Sequence, residues 1–140
     1  MGRRLGIDYG TKRIGLALSD ELGLTARPYD TIAAVSWKQA VRRIGDVVAG
    51  EDVEEIVLGD PISLKGHQGT LTGEVHRFRQ FLEDNLRVPV VLWDERLSSR
   101  AADRILREVG GGAKGTRDRV AAAWILQGYL DRRAGERDGA

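Results

Sequence analysis

Four carboxylates stand where the chain can present them to a ligand: Asp8, Asp60, Glu95 and Asp118. Asp8 alternates with Leu5, Ile7 and Tyr9, on a face that carries only Gly6 and Gly10, so its carboxylate has open space on its own strand. The same residue could instead organise the turn Gly10-Thr11-Lys12-Arg13 through local hydrogen bonds. Glu95 closes the apolar run Pro89 to Trp93, where a plain solvated residue at a strand end would look the same. Asp118 falls in the first turn of the last helix, and there the helix dipole alone favours an acid by about 0.3–1 kcal/mol. Its position nonetheless matches the stripe Ala121, Ala122, Ile125 and Tyr129, so it looks along the buried side of that helix. Asp60, in Gly59-Asp60-Pro61, reads either as a turn residue or as a further acid at the mouth of a site.

Unpaired carboxylates that share a site repel one another by about 4 kcal/mol for each pair at ~4 Å and an effective dielectric of 20. Divalent cations relieve that repulsion. Oxygen donors without cysteine or a well-placed histidine favour Mg²⁺ or Mn²⁺ over zinc. Two such ions ~3.5–4 Å apart can activate a water and stabilise the leaving oxygen of a phosphodiester. Around the acids, Lys12, Arg13, Arg96, Arg100, Lys114, Arg117 and Arg119 could supply a local phosphate-binding patch, although each reads equally as a solvated surface charge. Ser98 and Ser99 could donate to a phosphate or cap the next helix. His67 and His76 read as isolated and exposed, and Trp37, Trp93 and Trp124 sit in apolar stripes that suit core packing.

The elements that must position these groups follow from periodicity. Residues 4 to 9 and 14 to 18 alternate as two strands of a hairpin, and a weaker third strand spans Tyr29 to Ala34. Trp37, Val41, Ile44 and Val48 recur at helical spacing, and Val53 to Leu58 is a continuous β-branched run that suits a strand buried on both faces. Leu71, Val75, Phe78 and Leu82 mark a second helix, and Pro89 to Trp93 a fifth strand. A short helix carries Ala101, Ile105 and Leu106, and Gly110-Gly111-Gly112 then predicts a mobile loop that substrate and metal would order. Thr116 can cap a last helix running to Asp131, with a frayed polar tail at 132–140. Three antiparallel strands followed by two strand and helix units predict an α/β domain with a mixed five-stranded sheet covered by helices. Sites in such sheets lie at the carboxyl ends of parallel strands, which here means Asp8, Asp60 and Asp94-Glu95.

Bulk properties set limits on function. With 140 residues, 41% of them hydrophobic and 31% charged, the chain suits one globular domain spanning 1–140. Basic and acidic residues number 22 and 21, so nucleic acid would have to be held by a local patch, not by net charge. The absence of cysteine excludes thiolate sites and thiol catalysis and fits a reducing compartment. No run approaches the ~20 apolar residues of a membrane span, so the expectation is a cytosolic protein without a membrane partner.

The run Gly6-Ile7-Asp8-Tyr9-Gly10-Thr11-Lys12-Arg13-Ile14-Gly15-Leu16-Ala17-Leu18-Ser19-Asp20, the segment Asp94-Glu95-Arg96-Leu97-Ser98-Ser99, and Asp118-Arg119-Val120-Ala121-Ala122 with Ile125-Leu126-Gln127 together resemble the YqgF family. That resemblance covers nearly the whole chain. It implies a ribonuclease H-like fold related to the RuvC resolvase, and the activity of a nuclease of ribosomal RNA precursors or of Holliday junctions. It places the catalytic, metal-binding acids on Asp8, Glu95 and Asp118. After the fourth strand the family usually reads Gly-Leu-Pro-Leu-Asn, so Asp60 replaces a leucine, and an auxiliary metal ligand is one reading of it. Resolving a four-way junction would need a homodimer with two sites, whereas trimming RNA would not. Two other functions compete: a nucleic-acid-binding module of ribosome biogenesis or transcription without turnover, and an ATP-binding domain, since Gly6-Ile7-Asp8-Tyr9-Gly10-Thr11 also resembles the first phosphate loop of sugar kinases and actin.

Overall fold

The computed structural model describes residues 2–61, 70–97, 100–108 and 114–138. His67, Ser98, Ser99 and the glycines at 110–112 lie outside these residues, and the side chains of Arg100 and Lys114 lie outside the description as well. The strands are β1 (Arg3–Asp8), β2 (Arg13–Ser19), β3 (Ala26–Ala33), β4 (Val53–Asp60) and β5 (Val90–Asp94). The helices are α1 (Trp37–Gly50), α2 (Thr70–Asn85), α3 (Arg100–Glu108) and α4 (Lys114–Asp138). The strands form one mixed sheet in the order β3-β2-β1-β4-β5. β1, β2 and β3 are an antiparallel meander, while β4 and β5 run parallel to β1. The carboxyl ends of β1, β4 and β5 therefore lie side by side.

Alternation divides each central strand between two cores. Leu5, Ile7 and Tyr9 of the first segment, Ile14, Leu16 and Leu18 of β2, and Ile56 and Leu58 of β4 pack with Ile44 of α1 and with Val75, Phe78 and Leu82 of α2. The opposite face sends Ala17 and Val57 against Ala122, Ala123, Ile125, Leu126, Tyr129 and Leu130 of α4. Helix α1 starts where the Ser36 side chain accepts a hydrogen bond from the Gln39 N–H at 3.1 Å, satisfying one of the unpaired donors of its first turn. Two residues of the expected apolar stripes turn outward: Leu71 and Leu106 are 41% and 46% exposed. Thr72 takes the buried place on α2, with its hydroxyl donating to Pro61 O at 3.2 Å.

Helix α4 is longer at both ends than periodicity predicts. It begins at Lys114, so Thr116 lies inside it, and it continues to Asp138 in place of fraying after Asp131. Beyond the core contact, Arg133 lies 5.6 Å over the Tyr129 ring and Arg132 pairs with Glu136 one turn on. Such interactions hold a polar extension in helical form.

Helix α4 lies on the sheet at unusually short range because glycines stand under it. A Cβ on Gly6 would come 2.7 Å from Leu126 Cβ and 2.8 Å from Ala122 O, and a Cβ on Gly15 would come 1.8 Å from Asp118 O. A Cβ on Gly59 would meet Ile125 Cδ1 at 2.5 Å. The contact at Gly15 is with backbone, which cannot rotate away, so Gly15→Ala should cost at least about 1–3 kcal/mol. Gly50, at the end of α1, has no such neighbour, and Gly50→Ala should be neutral or stabilise by up to about 1 kcal/mol. Urea denaturation of the two variants checks this, and equal effects would show that α4 can retreat freely.

Candidate active site

Asp8 ends β1 and faces α4, because Leu5 and Ile7 of the same strand are committed to the other core. The flanking glycines do not leave the open space expected from sequence. Gly6 makes room for α4, while Gly10 lies against the Arg13 carbonyl across the β1–β2 turn, and Asp8 between them is half-buried. Asp8 is paired in register with Gly15 of β2, and Gly15 is the point where α4 crosses with Asp118. Glu95 arrives from the other side, one residue beyond β5, with its N–H donating to Asp60 O at 3.3 Å. A Cβ on Gly59 would lie 2.7 Å from Glu95 Oε1, so the glycine of β4 gives the glutamate its place.

The electrostatics follow from that packing. The Asp8 carboxyl is pushed up from 3.8 to about 7, first by burial and then by the negative charges of Glu95 and Asp118. Glu95 is also raised, by burial and then by Asp60 and Asp94. Asp118 has a cation of its own, since Arg13 Nε donates to its Oδ2 at 2.8 Å. Asp118 also lies beyond the first turn of α4, which holds no acid, so the helix dipole does not account for it.

The structure thus brings Asp8, Glu95 and Asp118 into one electrostatic cluster, from β1, the end of β5 and α4. Asp60 stands apart. Its neighbours in alternation, Ile56 and Leu58, face α1 and α2, and its carboxylate meets His76 of α2, with Nε2 3.0 Å from Oδ2. His76 is therefore not isolated, although its side chain is 45% exposed. Asp94 is held by Arg96 through Nε and Nη2, at 2.8 Å for the closest contact, which lowers its carboxyl below the usual range. Among the described residues no group of three or more acids or histidines stands close enough together to hold a metal ion.

The expected basic patch is mostly committed to protein partners. Arg13 holds Asp118, Arg96 holds Asp94, and Arg119 Nε lies 3.3 Å from both Thr31 Oγ1 and Gly115 O. Lys12 and Arg117 are exposed and form no ion pair among the described residues. The tryptophans serve the core: Trp37 donates to Tyr9 Oη at 2.9 Å, Trp93 stacks edge-on against Tyr129, and Trp124 donates to Asp103. Sequence reasoning missed Gly15 and Gly59. Their signal was present, as glycines inside apolar strand patterns mark close backbone approach.

The chain matches the family model described as RuvX, Holliday junction resolvase, over residues 2–132. It is 47% identical over 132 residues to a protein of Syntrophus aciditrophicus named "putative pre-16S rRNA nuclease", covering 92% of this chain and 88% of that one. A protein of the same name from Ruminiclostridium cellulolyticum is 41% identical over 139 residues, covering 96% of this chain and 98% of its own. Among solved structures, RuvC of Thermus thermophilus in complex with a Holliday junction substrate superposes with a TM-score of 0.60 at 17% identity, covering 96% of this chain and 97% of that one. The yeast mitochondrial Holliday junction resolvase Ydc2 gives 0.63 at 11% identity, covering 98% of this chain and 81% of its own. At those identities the two structures establish the shared fold.

The raised Asp8 carboxyl has a consequence for stability. Between about pH 4 and pH 7 the folded protein keeps a proton that the unfolded chain has released, so stability is present at low pH and is lost as pH rises through that window. The loss amounts to at most roughly 4 kcal/mol above pH 7. Asp8→Asn removes it. In EDTA, urea denaturation of Asp8→Asn should show a gain over wild type that is larger at pH 8 than at pH 5; parallel pH profiles would mean that Asp8 is not buried among charges.

Proposed function

The chain belongs to the RuvX family and is a nuclease that hydrolyses phosphodiester bonds, and we propose that its substrate is the precursor of small-subunit ribosomal RNA, cut with Mg²⁺ or Mn²⁺ held by Asp8, Glu95 and Asp118. The observation that carries the metal reading is the half-buried Asp8 carboxylate, whose carboxyl is forced up to about 7 by desolvation and by the charges of Glu95 and Asp118. A half-buried group of like charges at one end of a sheet is a poor structural device and suits a cation. Its donors are all oxygens, which suits a hard ion that retains several waters. One or two such ions, when bound, supply an activated water and charge stabilisation at the leaving oxygen.

The protein's own groups set the conditions. Asp8 must release its proton before it can ligate, so metal uptake strengthens as pH rises through about 7. Glu95, whose carboxyl is itself raised by burial and by Asp60 and Asp94, contributes negative charge beside Asp8. Arg13 holds Asp118 beside the sheet in the meantime. Lys12, in the β1–β2 turn, and Arg117, one residue before Asp118, are exposed cations at the edge of the cluster and would contact phosphates. Ser98, Arg100 and Lys114 are proposed from the sequence alone as further nucleic-acid contacts, whereas Arg96 and Arg119 position protein groups.

The RNA assignment is supported by relatives of that name at 41% and 47% identity over almost the full chain. The second reading, cleavage of branched DNA by a homodimer, is favoured by the description of the family model. The two separate in one experiment. Purified wild type and Asp8→Asn are incubated with precursor RNA, unstructured RNA and a four-way DNA junction, with Mg²⁺ or Mn²⁺, and the mass in solution is measured in parallel. The expected result is cleavage of the precursor at discrete positions by wild type only. Paired symmetric cuts in the junction by a dimer would make the protein a resolvase. Full activity in Asp8→Asn would remove the assigned site, and inactivity of wild type on every substrate would favour a binding module.

A further inference from the structure

The acid at the end of β4 neighbours Glu95 of the cluster just described, but its carboxylate is buried on the other face of the sheet and meets a histidine there. The Asp60 side chain is 9% exposed, and its Oδ1 is buried with no hydrogen-bond partner. Its Oδ2 lies 3.0 Å from His76 Nε2. Leaving one oxygen of a buried carboxylate without a donor is destabilising, and a leucine, which the family resemblance leads one to expect here, would avoid that penalty. His76 sits on α2 with 45% of its side chain exposed, so one partner is sealed in the protein and the other opens to solvent. Glu95 is near enough that Asp60 raises its carboxyl. The charges of Glu95 and Arg96 both act with that of Asp60, and among the described residues His76 is the one side chain within hydrogen-bond distance of its carboxylate.

We propose that Asp60 and His76 form a second cation site, on the α2 face of the sheet, that takes a first-row divalent transition ion in preference to Mg²⁺. Adjacent ligands on an ion with bonds of about 2.1 Å stand roughly 3 Å apart, which the Oδ2 to Nε2 separation matches. The ion replaces the proton between the two atoms: His76 becomes the neutral tautomer with its hydrogen on Nδ1, and the Nε2 lone pair and Asp60 share the metal. The open Oδ1 gains a counter-charge. The remaining positions face solvent through His76, where water or a substrate phosphate completes the shell. Imidazole is a good donor for Mn²⁺ and later ions and a poor one for Mg²⁺, so the pair gives selectivity that an all-oxygen cluster lacks.

This inference rests on the proposed function only in taking Asp8, Glu95 and Asp118 as the other metal site, and the test keeps the two apart. Electron spin-echo modulation on Mn²⁺-loaded protein reads nitrogen coupling directly, and Mn²⁺ and Mg²⁺ affinities come from titration calorimetry. Wild type and Asp8→Asn should both show one coupled nitrogen, which His76→Gln and Asp60→Leu should both lose. His76→Gln should weaken the second Mn²⁺ about tenfold or more, with Mg²⁺ affinity unchanged. Circular dichroism confirms folding, and Asp60→Leu introduces the residue the family usually carries. Absence of nitrogen coupling in wild type, or coupling that survives both substitutions, overturns the site. If coupling is absent while Asp8→Asn abolishes cleavage, only this inference fails. If coupling is present while Asp8→Asn cleaves normally, only the assigned nuclease site fails.

Discussion

Everything at the candidate site depends on how closely α4 lies on the sheet. A helix normally packs on a sheet across intervening side chains, with about 10 Å between layers. Here Gly6, Gly15 and Gly59 remove the side chains on three adjacent strands, and Ala122 and Ala123 keep the helix surface low. The backbone of Asp118 then comes within contact distance of Gly15. Because Gly15 pairs with Asp8 across the hairpin, a steric allowance on β2 becomes an electrostatic encounter between β1 and α4. The parallel run of β1, β4 and β5 adds Glu95, whose place beside Gly59 depends on the same missing side chain.

That encounter opposes folding. Burial and two neighbouring carboxylates hold the Asp8 proton to about pH 7, so the folded state carries a penalty that a neutral residue would not. The cores on both faces of the sheet offset it. On one side Tyr9, Trp37 and Phe78 form a contiguous aromatic group, with the Tyr9 hydroxyl donating to Glu74 at 2.6 Å. On the other, Gln127 is buried and reaches the β2–β3 connection, accepting from Ala26 N at 2.8 Å and donating to Leu24 O at 3.0 Å. These contacts fix α4 and the meander as one unit, so the acids cannot separate to relieve their repulsion. Charge held rigidly in this way is what makes an ion site preorganised.

The arginines illustrate why charge counting misleads. Arg13, Arg96 and Arg119 lie near the carboxyl ends of the sheet, and their positions in sequence suggest a surface for phosphates. In the folded chain Arg13 and Arg96 neutralise Asp118 and Asp94, and Arg119 ties Thr31 to Gly115. An arginine satisfied by a carboxylate holds that carboxylate in place, and the exposed Lys12 and Arg117 are left as the described cations best able to meet a substrate. No helix among the described residues is long and apolar enough to cross a membrane.

Periodicity alone specified the five strands and the four helices, because alternation and helical spacing are local and survive without knowledge of the partner. The inward direction of Asp118 was legible for the same reason, whereas the three acids were singled out together only by the family resemblance, Glu95 chiefly so. Strand order was not, since pairing is decided by which apolar faces meet at long range, and only the fold set β4 beside β1. The tertiary structure also reversed two local readings. Gly6 beside Asp8 makes room for α4, and His76, solitary in sequence, meets Asp60 across 16 residues because α2 packs over the end of β4. A residue's type and spacing state which chemistry it can perform. Which neighbour it performs that chemistry with is decided by packing, where one glycine or one turn of helix determines whether two charges ever meet.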